Sequence, residues 1–227
     1  DIYLSRQKYD QALEWLEKAL AEEHENISTI VNIARALDGL GRNDQARERL
    51  VEELRRKNDM HRARDISNCL LSLGGKERLF EVFTDILHEQ PDRRDVHLEM
   101  ARLYNAIGQK QKAKEGYEKA VSISADPETL NELGQLCQSG GYAAEAEQYL
   151  RRGMDAYPDK AAAFAANLAK VMVYSGRVPE GIELMQDCRR RMPDELLVGS
   201  NLLLYLHYLP DIDREQLYRR HRDWAEK

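Results

Sequence analysis

The chain of 227 residues carries 34 Lys and Arg against 40 Asp and Glu, which gives a net charge of −6. With 42% hydrophobic and 33% charged residues and a mean hydropathy of −0.68, it can build a core while keeping much of each element in water. This composition argues against disorder, collagen, a disulfide scaffold, a membrane span and a primary nucleic-acid role. We therefore predict a soluble protein with neither a membrane nor a nucleic-acid partner.

Counts of special residues narrow the class further. Only 13 Gly and 6 Pro favour long helices over many short strands. Cys69, Cys137 and Cys188 are odd in number, widely spaced and without a Cys-x-x-Cys pair, which predicts a reducing, cytoplasmic compartment. The six histidines are scattered without a carboxylate at ligand spacing, so we predict no metal and no cofactor.

A repeat of 33 to 35 residues runs along the chain. Its first column is glycine, and we expect each glycine to end a first helix in a left-handed turn. These glycines are Gly41, Gly74, Gly108, Gly141 and Gly176. Two later columns, four residues apart, share one face of the second helix. They are Ala12, Ala46, Leu79, Ala113, Ala146 and Gly181, and Leu16, Leu50, Phe83, Tyr117, Leu150 and Met185.

The first half of each unit pairs a large residue with a smaller one, which allows close approach of the partner helix. The pairs are Ile33 with Ala34, Ile66 with Ser67, Met100 with Ala101, Leu133 with Gly134, and Leu168 with Ala169. Pro91, Pro158 and Pro193 stand where the second helix of a unit must stop.

A helix-turn-helix unit of about 34 residues with this pattern resembles the tetratricopeptide repeat (TPR). The resemblance implies an all-α fold, a right-handed TPR superhelix (α-solenoid) with C-terminal non-repeat helices. Because Tyr3 falls in a late first-helix column, the chain is expected to start within a repeat, with further repeats upstream. The array would cover 1–195, as a partial repeat at 1–26 and repeats at 27–59, 60–93, 94–126, 127–160 and 162–195, followed by capping or linker helices at 196–227.

In that family stacked first helices line a concave groove, and register assigns the residues that face it. The predicted groove residues are Val31, Asn32, Arg35, Asp38, Arg64, Asn68, Leu71, Leu98, Arg102, Asn105, Asn131, Gln135, Gln138, Ala166, Asn167, Lys170 and Val173. A polar lining of mixed sign suits an extended polypeptide segment better than an apolar ligand. The alternative for each residue is a solvated helix face.

One TPR subtype grips the C-terminal carboxylate of a partner with Lys, Arg and Asn side chains. Arg64 and Asn68 resemble the start of that pattern. Glu99, Glu128 and Glu132 stand at the next required places and would repel a carboxylate, so we reject this subtype.

A second comparison fits better. Asn32 and Asn167 each stand directly before one of the pairs of a large and a small residue. This position resembles that of the asparagine ladder in the repeat arrays of O-linked N-acetylglucosamine transferases. Asp65, Glu99 and Glu132 replace asparagine in the middle repeats. The ladder would be interrupted there, which favours basic bound segments.

The tail departs from the repeat. Residues 196–210 are dense in apolar side chains, which predicts a helix buried on more than one side, and Asp213 with Gln216 predicts a capping box before a last helix from Arg214. The tail resembles the segment before the catalytic region in bacterial SPINDLY and O-linked N-acetylglucosamine transferase proteins. The matching residues are Ser200, Asn201, Leu202, Leu203, Tyr208, Pro210, Asp211, Leu217, Tyr218, His221, Arg222 and Trp224.

That resemblance implies a transferase region with a nucleotide-sugar donor beyond this segment. These 227 residues hold no Gly-rich phosphate loop and no alternation of strands and helices, so we predict no enzyme within them and no catalytic role for His207 or His221. Two basic clusters more often complement helix dipoles than bind an acidic partner. They are Arg55, Arg56, Lys57, Arg62 and Arg64, and Arg189, Arg190 and Arg191.

The sequence thus predicts a protein interaction scaffold that binds protein or peptide segments in a TPR groove, as the TPR portion of a SPINDLY-like protein O-glycosyltransferase. The alternative is an adaptor for assembly or self-association without a transferase domain, and homo-oligomer formation stays open.

Overall fold

The computed structural model describes residues 8–22, 26–56, 58–210 and 212–225. Of these, 84% are helical and none lies in a strand, which confirms the all-α prediction. The helices are α1 (Tyr9–Glu22), α2 (Ile27–Gly39), α3 (Asn43–Arg56), α4 (Met60–Glu89), α5 (Arg94–Ala106), α6 (Lys110–Ile123), α7 (Pro127–Ser139), α8 (Ala143–Ala156), α9 (Ala161–Tyr174), α10 (Val178–Arg191), α11 (Leu196–Leu206) and α12 (Arg214–Ala225). The chain divides into two compact units, residues 1–124 and 125–227.

In the first unit, consecutive helices from α1 to α6 pack in antiparallel pairs. The predicted columns of the second helices are its core. Ala46 and Leu50 of α3 and Ala113 and Tyr117 of α6 are buried with almost no exposed surface. Burying apolar surface stabilises a fold by about 25 cal/mol per Å². The repeat columns therefore mark the positions whose packing stabilises this unit.

The second unit continues the pattern with α7 to α10 and adds α11 and α12. Small residues allow its helices to approach closely. A Cβ on Gly134 of α7 would lie 2.6 Å from a methyl carbon of Leu150 on α8, and one on Gly153 would lie 2.5 Å from Cδ1 of the buried Phe164 on α9. Both glycines are therefore required by packing rather than by backbone conformation.

Four of the five predicted glycine turns are present: Gly41, Gly108, Gly141 and Gly176 have φ of 73° to 84°. The residue after each glycine donates its N–H to a carbonyl five residues back, as Arg42 does to Leu37 at 2.8 Å. This is the Schellman arrangement, in which a residue without a Cβ takes the left-handed position at little cost.

The assignment of Gly74 to a left-handed turn is wrong. Gly74 keeps helical backbone inside α4, and the break falls at Gly75, where φ is 74° and ψ is 177°. The carbonyl of Leu73 is satisfied by Arg47, whose Nη1 donates to it at 3.2 Å. With that carbonyl capped from α3, the chain turns one residue later and the second helix starts at once.

Other predicted helix ends agree with the structure. Pro91, Pro158 and Pro193 each follow a helix end by two residues. Asp213 caps α12, because its carboxylate accepts from the backbone N–H of Gln216 at 3.3 Å. Helix α11 packs against α9, α10 and α12, although Leu196, Leu197 and Leu204 stay exposed. Tyr3, on which the expectation of a chain that starts within a repeat depends, lies outside the described residues, whereas α1 supplies the second helix of the predicted partial repeat at 1–26.

Candidate functional site

In the first unit, an ion-pair cluster joins the first helices of two repeats. Glu99 of α5 is 6% exposed. Its Oε1 lies 3.8 Å from Nε of Arg64 on α4, and Nη1 of Arg102 also donates to it. Two guanidinium groups thus compensate the charge of Glu99, so this carboxylate by itself does not require a basic bound segment.

The other polar residues of this unit lie on the same set of first helices. Arg35 is exposed on α2, and its Nη1 donates to Oδ1 of the half-buried Asn32 at 3.4 Å. Asn68 of α4 is exposed, and Asn105 of α5 accepts from Nζ of Lys110 at 2.9 Å. These amides and guanidinium groups offer the donors and acceptors that an extended backbone requires.

Four apolar positions that register assigned to the groove are buried instead. Val31 and Leu98 belong to the packing of the first unit, with Leu98 fully buried. Ala166 and Val173 of α9 are buried in the second unit. Tyr205 of α11 donates its hydroxyl to the carbonyl of Ala166 at 3.3 Å. Helix α11 therefore covers α9 much as another first helix would.

In the second unit, the structure brings together two asparagines that are 36 residues apart. Nδ2 of Asn167 on α9 donates to Oδ1 of Asn131 on α7 at 2.7 Å. Gln135 is exposed one turn further along α7, and Nζ of Lys170 lies 5.7 Å from the ring centre of Tyr174. Register had placed Asn131 and Asn167 in different columns, so sequence reasoning missed their contact.

The paired amides are half-buried. Each amide uses one donor or acceptor in the contact and keeps further hydrogen-bonding capacity, since Asn carries two N–H donors and an oxygen with two lone pairs. Such a pair can read one peptide unit through both its N–H and its C=O.

The cysteines are free and buried. Burial raises the pKa of Cys69 and of Cys188, which disfavours the nucleophilic thiolate. Burial, with Tyr174 and Tyr208 nearby, also raises the pKa of Tyr205 to about 12. These groups remain neutral at physiological pH and act as packing residues.

His207 and His221 meet across the turn between α11 and α12. Their Nε2 atoms lie 3.1 Å apart, so one ring donates and the other accepts. Sequence reasoning left them separate, because no local pattern gives the path of the intervening turn. In the parts of the chain that the structure describes, no group of three or more His, Cys, Asp or Glu is arranged to hold a metal ion.

Most arginines of the two basic clusters form ion pairs with carboxylates of the same chain. Arg55 lies 3.6 Å from Glu89, and Arg62 pairs with the buried Glu53. Arg190 and Arg191 both pair with Asp187.

Arg93 joins α5 to the end of α3. It is 5% exposed, and its Nη2 donates to the carbonyl of Leu54 at 2.6 Å and to Asp95 at 2.8 Å. Asp95 is 1% exposed. Sequence reasoning missed this buried pair, because its position in the unit resembles an ordinary exposed turn.

In the second unit, Glu147 of α8 links two arginines. Burial alone would raise the pKa of Glu147, but hydrogen bonds and charge from Arg151 and Arg177 outweigh it and lower that pKa. Nη2 of Arg177 lies 2.5 Å from Oε2 of Glu147, so the turn before α10 is tied to α8.

Two family models described as tetratricopeptide repeat match this chain, one over residues 3–64 and the other over 95–127 and 127–160. Together they cover more than half of the sequence. No curated protein matches it. Among the helices in the described ranges, none is both long and apolar enough to cross a bilayer.

Solved structures share the fold. YrrB, described as a TPR protein with an unusual peptide-binding site, is 16% identical with a TM-score of 0.55, covering 80% of this chain and 91% of YrrB. PilF of Pseudomonas aeruginosa is 19% identical with a TM-score of 0.54, covering 81% and 75%. The O-GlcNAc transferase of Thermobaculum terrenum (K341M mutant) is 27% identical with a TM-score of 0.48, covering 59% of this chain and 26% of that one. A TM-score of 0.48 is too low to show that the transferase shares this fold.

Proposed function

We propose that this chain, which belongs to the tetratricopeptide repeat proteins, is an interaction scaffold that binds extended polypeptide segments along its first helices. TPR folds are generally non-catalytic scaffolds. The observation that carries the proposal is the amide pair of Asn131 and Asn167, which presents backbone-reading groups from two successive first helices. The peptide-binding site named for YrrB is a parallel in another TPR protein.

The first unit would contribute a second contact region. The Arg64, Glu99 and Arg102 cluster and Arg35 would place guanidinium groups on this surface, and the exposed Asp38 would place a carboxylate on it. A segment with charges of both signs would suit such a mixed surface, because rim charges steer association. The remaining proposed binding residues are Asn32, Asn68 and Asn105 in the first unit and, separately, Gln135 and Lys170 in the second unit.

A defined peptide selection tests the proposal. A displayed library of random peptides would be selected on the full chain, and the Kd of the best peptide measured for the Asn131→Ala and Asn167→Ala variants. Loss of one net hydrogen bond of about 1 kcal/mol predicts about fivefold weaker binding for each. Gln148→Ala on the second helix α8 is the matched control and should bind like the parent. Equal Kd values for all four proteins would contradict groove binding.

We further propose that the chain is the TPR portion of a SPINDLY-like protein O-glycosyltransferase, in which bound segments would present Ser or Thr hydroxyls to a transferase region. The support is the tail pattern, which includes Ser200, Asn201, His221 and Trp224. The alternative is an adaptor that mediates assembly or self-association. Reading the gene beyond Lys227 separates the two, because a stop codon directly downstream removes the transferase. The prediction of a cytoplasmic location rests on the three free cysteines.

A further inference from the structure

A separate cavity of about 260 Å³ lies in the second unit, between α10, α11 and α12. It belongs to the tail rather than to the first helices of the repeats. Its walls are formed by Arg189, Gly199, Leu202, Leu203, Leu206, Arg220, Asp223 and Trp224.

The absence of a side chain at Gly199 lets Arg189 and Trp224 lie directly against the backbone of α11 at one side of this cavity. A Cβ at this position would lie 2.5 Å from Nε1 of Trp224 and would collide with Nη1 of Arg189. Gly199 has ordinary helical backbone within α11, so its role is to make room. The indole N–H and the guanidinium group therefore converge over the same stretch of backbone.

These donors have no acceptor among the described residues. Arg189 is half-buried and Arg220 is exposed, and neither makes an ion pair or a hydrogen bond there, whereas Arg190 pairs with Asp187. Nε1 of Trp224 likewise lacks an acceptor in the described part of the chain. Asp223 lies against Arg222, 3.4 Å from its Nη2. The cavity thus carries an excess of positive charge.

The wall formed by the rest of this face of α11 is apolar. Leu202, Leu203 and Leu206 line it with side chains that are mostly buried. The volume is below the roughly 300–1,000 Å³ that encloses a drug-sized ligand, so the cavity suits one charged headgroup with a short apolar stem.

We propose that this cavity binds a carboxylate carried on a short aliphatic group. A guanidinium fork matches the two oxygens of a carboxylate, so Arg189 and Arg220 would hold the anion while Trp224 donates its indole N–H. The three leucines would contact the aliphatic stem. A free small acid and the C-terminal residue of a peptide both present this chemistry.

Tryptophan fluorescence gives a direct assay, because the chain has two tryptophans and the other, Trp15, is 60% exposed on α1. In a Trp15→Phe background, emission reports Trp224 alone. The probes are 4-methylpentanoate as the free acid, acetyl-Gly-Gly-Leu as the peptide acid, and the amides of both. We expect a saturable change with at least one acid below about 10 mM and none with its amide. If only the peptide acid changes the emission of Trp224, the carboxylate that binds is the C-terminus of a peptide.

Three variants test the assignment of residues. Charge-assisted hydrogen bonds are worth about 1.5–3 kcal/mol, so Arg189→Gln should weaken binding about tenfold or more. Gly199→Ala should do the same by displacing Arg189 and Trp224 from their places beside α11, and Arg190→Gln is the matched control that should bind normally. Arg220 is exposed, so Arg220→Gln should leave the packing intact while it weakens binding. Equal binding of acid and amide, no saturation, or unchanged binding in both Arg189→Gln and Arg220→Gln overturns the proposal.

Discussion

The neighbouring glycines of α4 give a sharp test of the backbone in the first unit. The repeat pattern points to Gly74 as the left-handed residue, whereas the structure puts the turn at Gly75. Alanine substitution separates the two, because only a residue at positive φ is strained by a Cβ.

The two alanine substitutions should change the free energy of unfolding in opposite directions. A Cβ on Gly74 would find its nearest atoms at 3.5 Å, on Arg47 and Arg78, which is ordinary contact. Gly74→Ala should therefore raise the free energy of unfolding by about 0.4–1 kcal/mol, because alanine restricts the unfolded chain. At Gly75, φ of 74° with ψ of 177° lies in a region used almost only by glycine. Gly75→Ala should lower stability by about 1–3 kcal/mol.

Urea denaturation followed by far-ultraviolet circular dichroism measures both variants against the parent. Helical repeat arrays can unfold in steps, so midpoints are compared only where the m-values agree. A midpoint for Gly74→Ala at or below that of Gly75→Ala would refute this assignment of the turn.

Three further substitutions test packing and charge. Asp95→Ala should lower stability by about 3–5 kcal/mol, because it removes the buried carboxylate that neutralises the guanidinium of Arg93; a loss under about 1 kcal/mol in urea denaturation would contradict this. Gly153→Ala should destabilise by about 1–3 kcal/mol despite the better helix propensity of alanine, because its Cβ would overlap the ring of Phe164, and a rise in Tm would contradict it. Because the pKa of Glu147 is lowered in the folded chain, its contribution is present above the ordinary carboxyl value of 4.5 and is lost as pH falls toward the folded value. Glu147→Gln should therefore be less stable than the parent at neutral pH and lose less stability on acidification, and parallel pH profiles would contradict this.

Periodicity predicted much of the fold from the sequence. The columns of Ala46 and Leu50 proved to be core, and the helix ends before Pro91 and Pro158 lie where the pattern places them. This succeeds because each TPR unit repeats one local solution, with helix period, a stopping residue and close packing all written into neighbouring positions.

The surface residues were harder to predict. Register alone could not show that Leu98 is buried or that Arg64 lies beside Glu99, because both facts depend on the helix that packs beside α5. The contact between Asn131 and Asn167 likewise depends on how far α7 stands from α9.

The sequence by itself determined the repeat, the helical class and the separate character of the tail, since these follow from spacing along one chain. Tertiary structure decided which polar groups meet, where the turn in α4 falls, and that Arg189 and Trp224 come together against Gly199. The physical reason is range: helix period and turn conformation are set within a few residues, whereas charge pairing and cavities are set by side chains that are distant in sequence and adjacent only after packing.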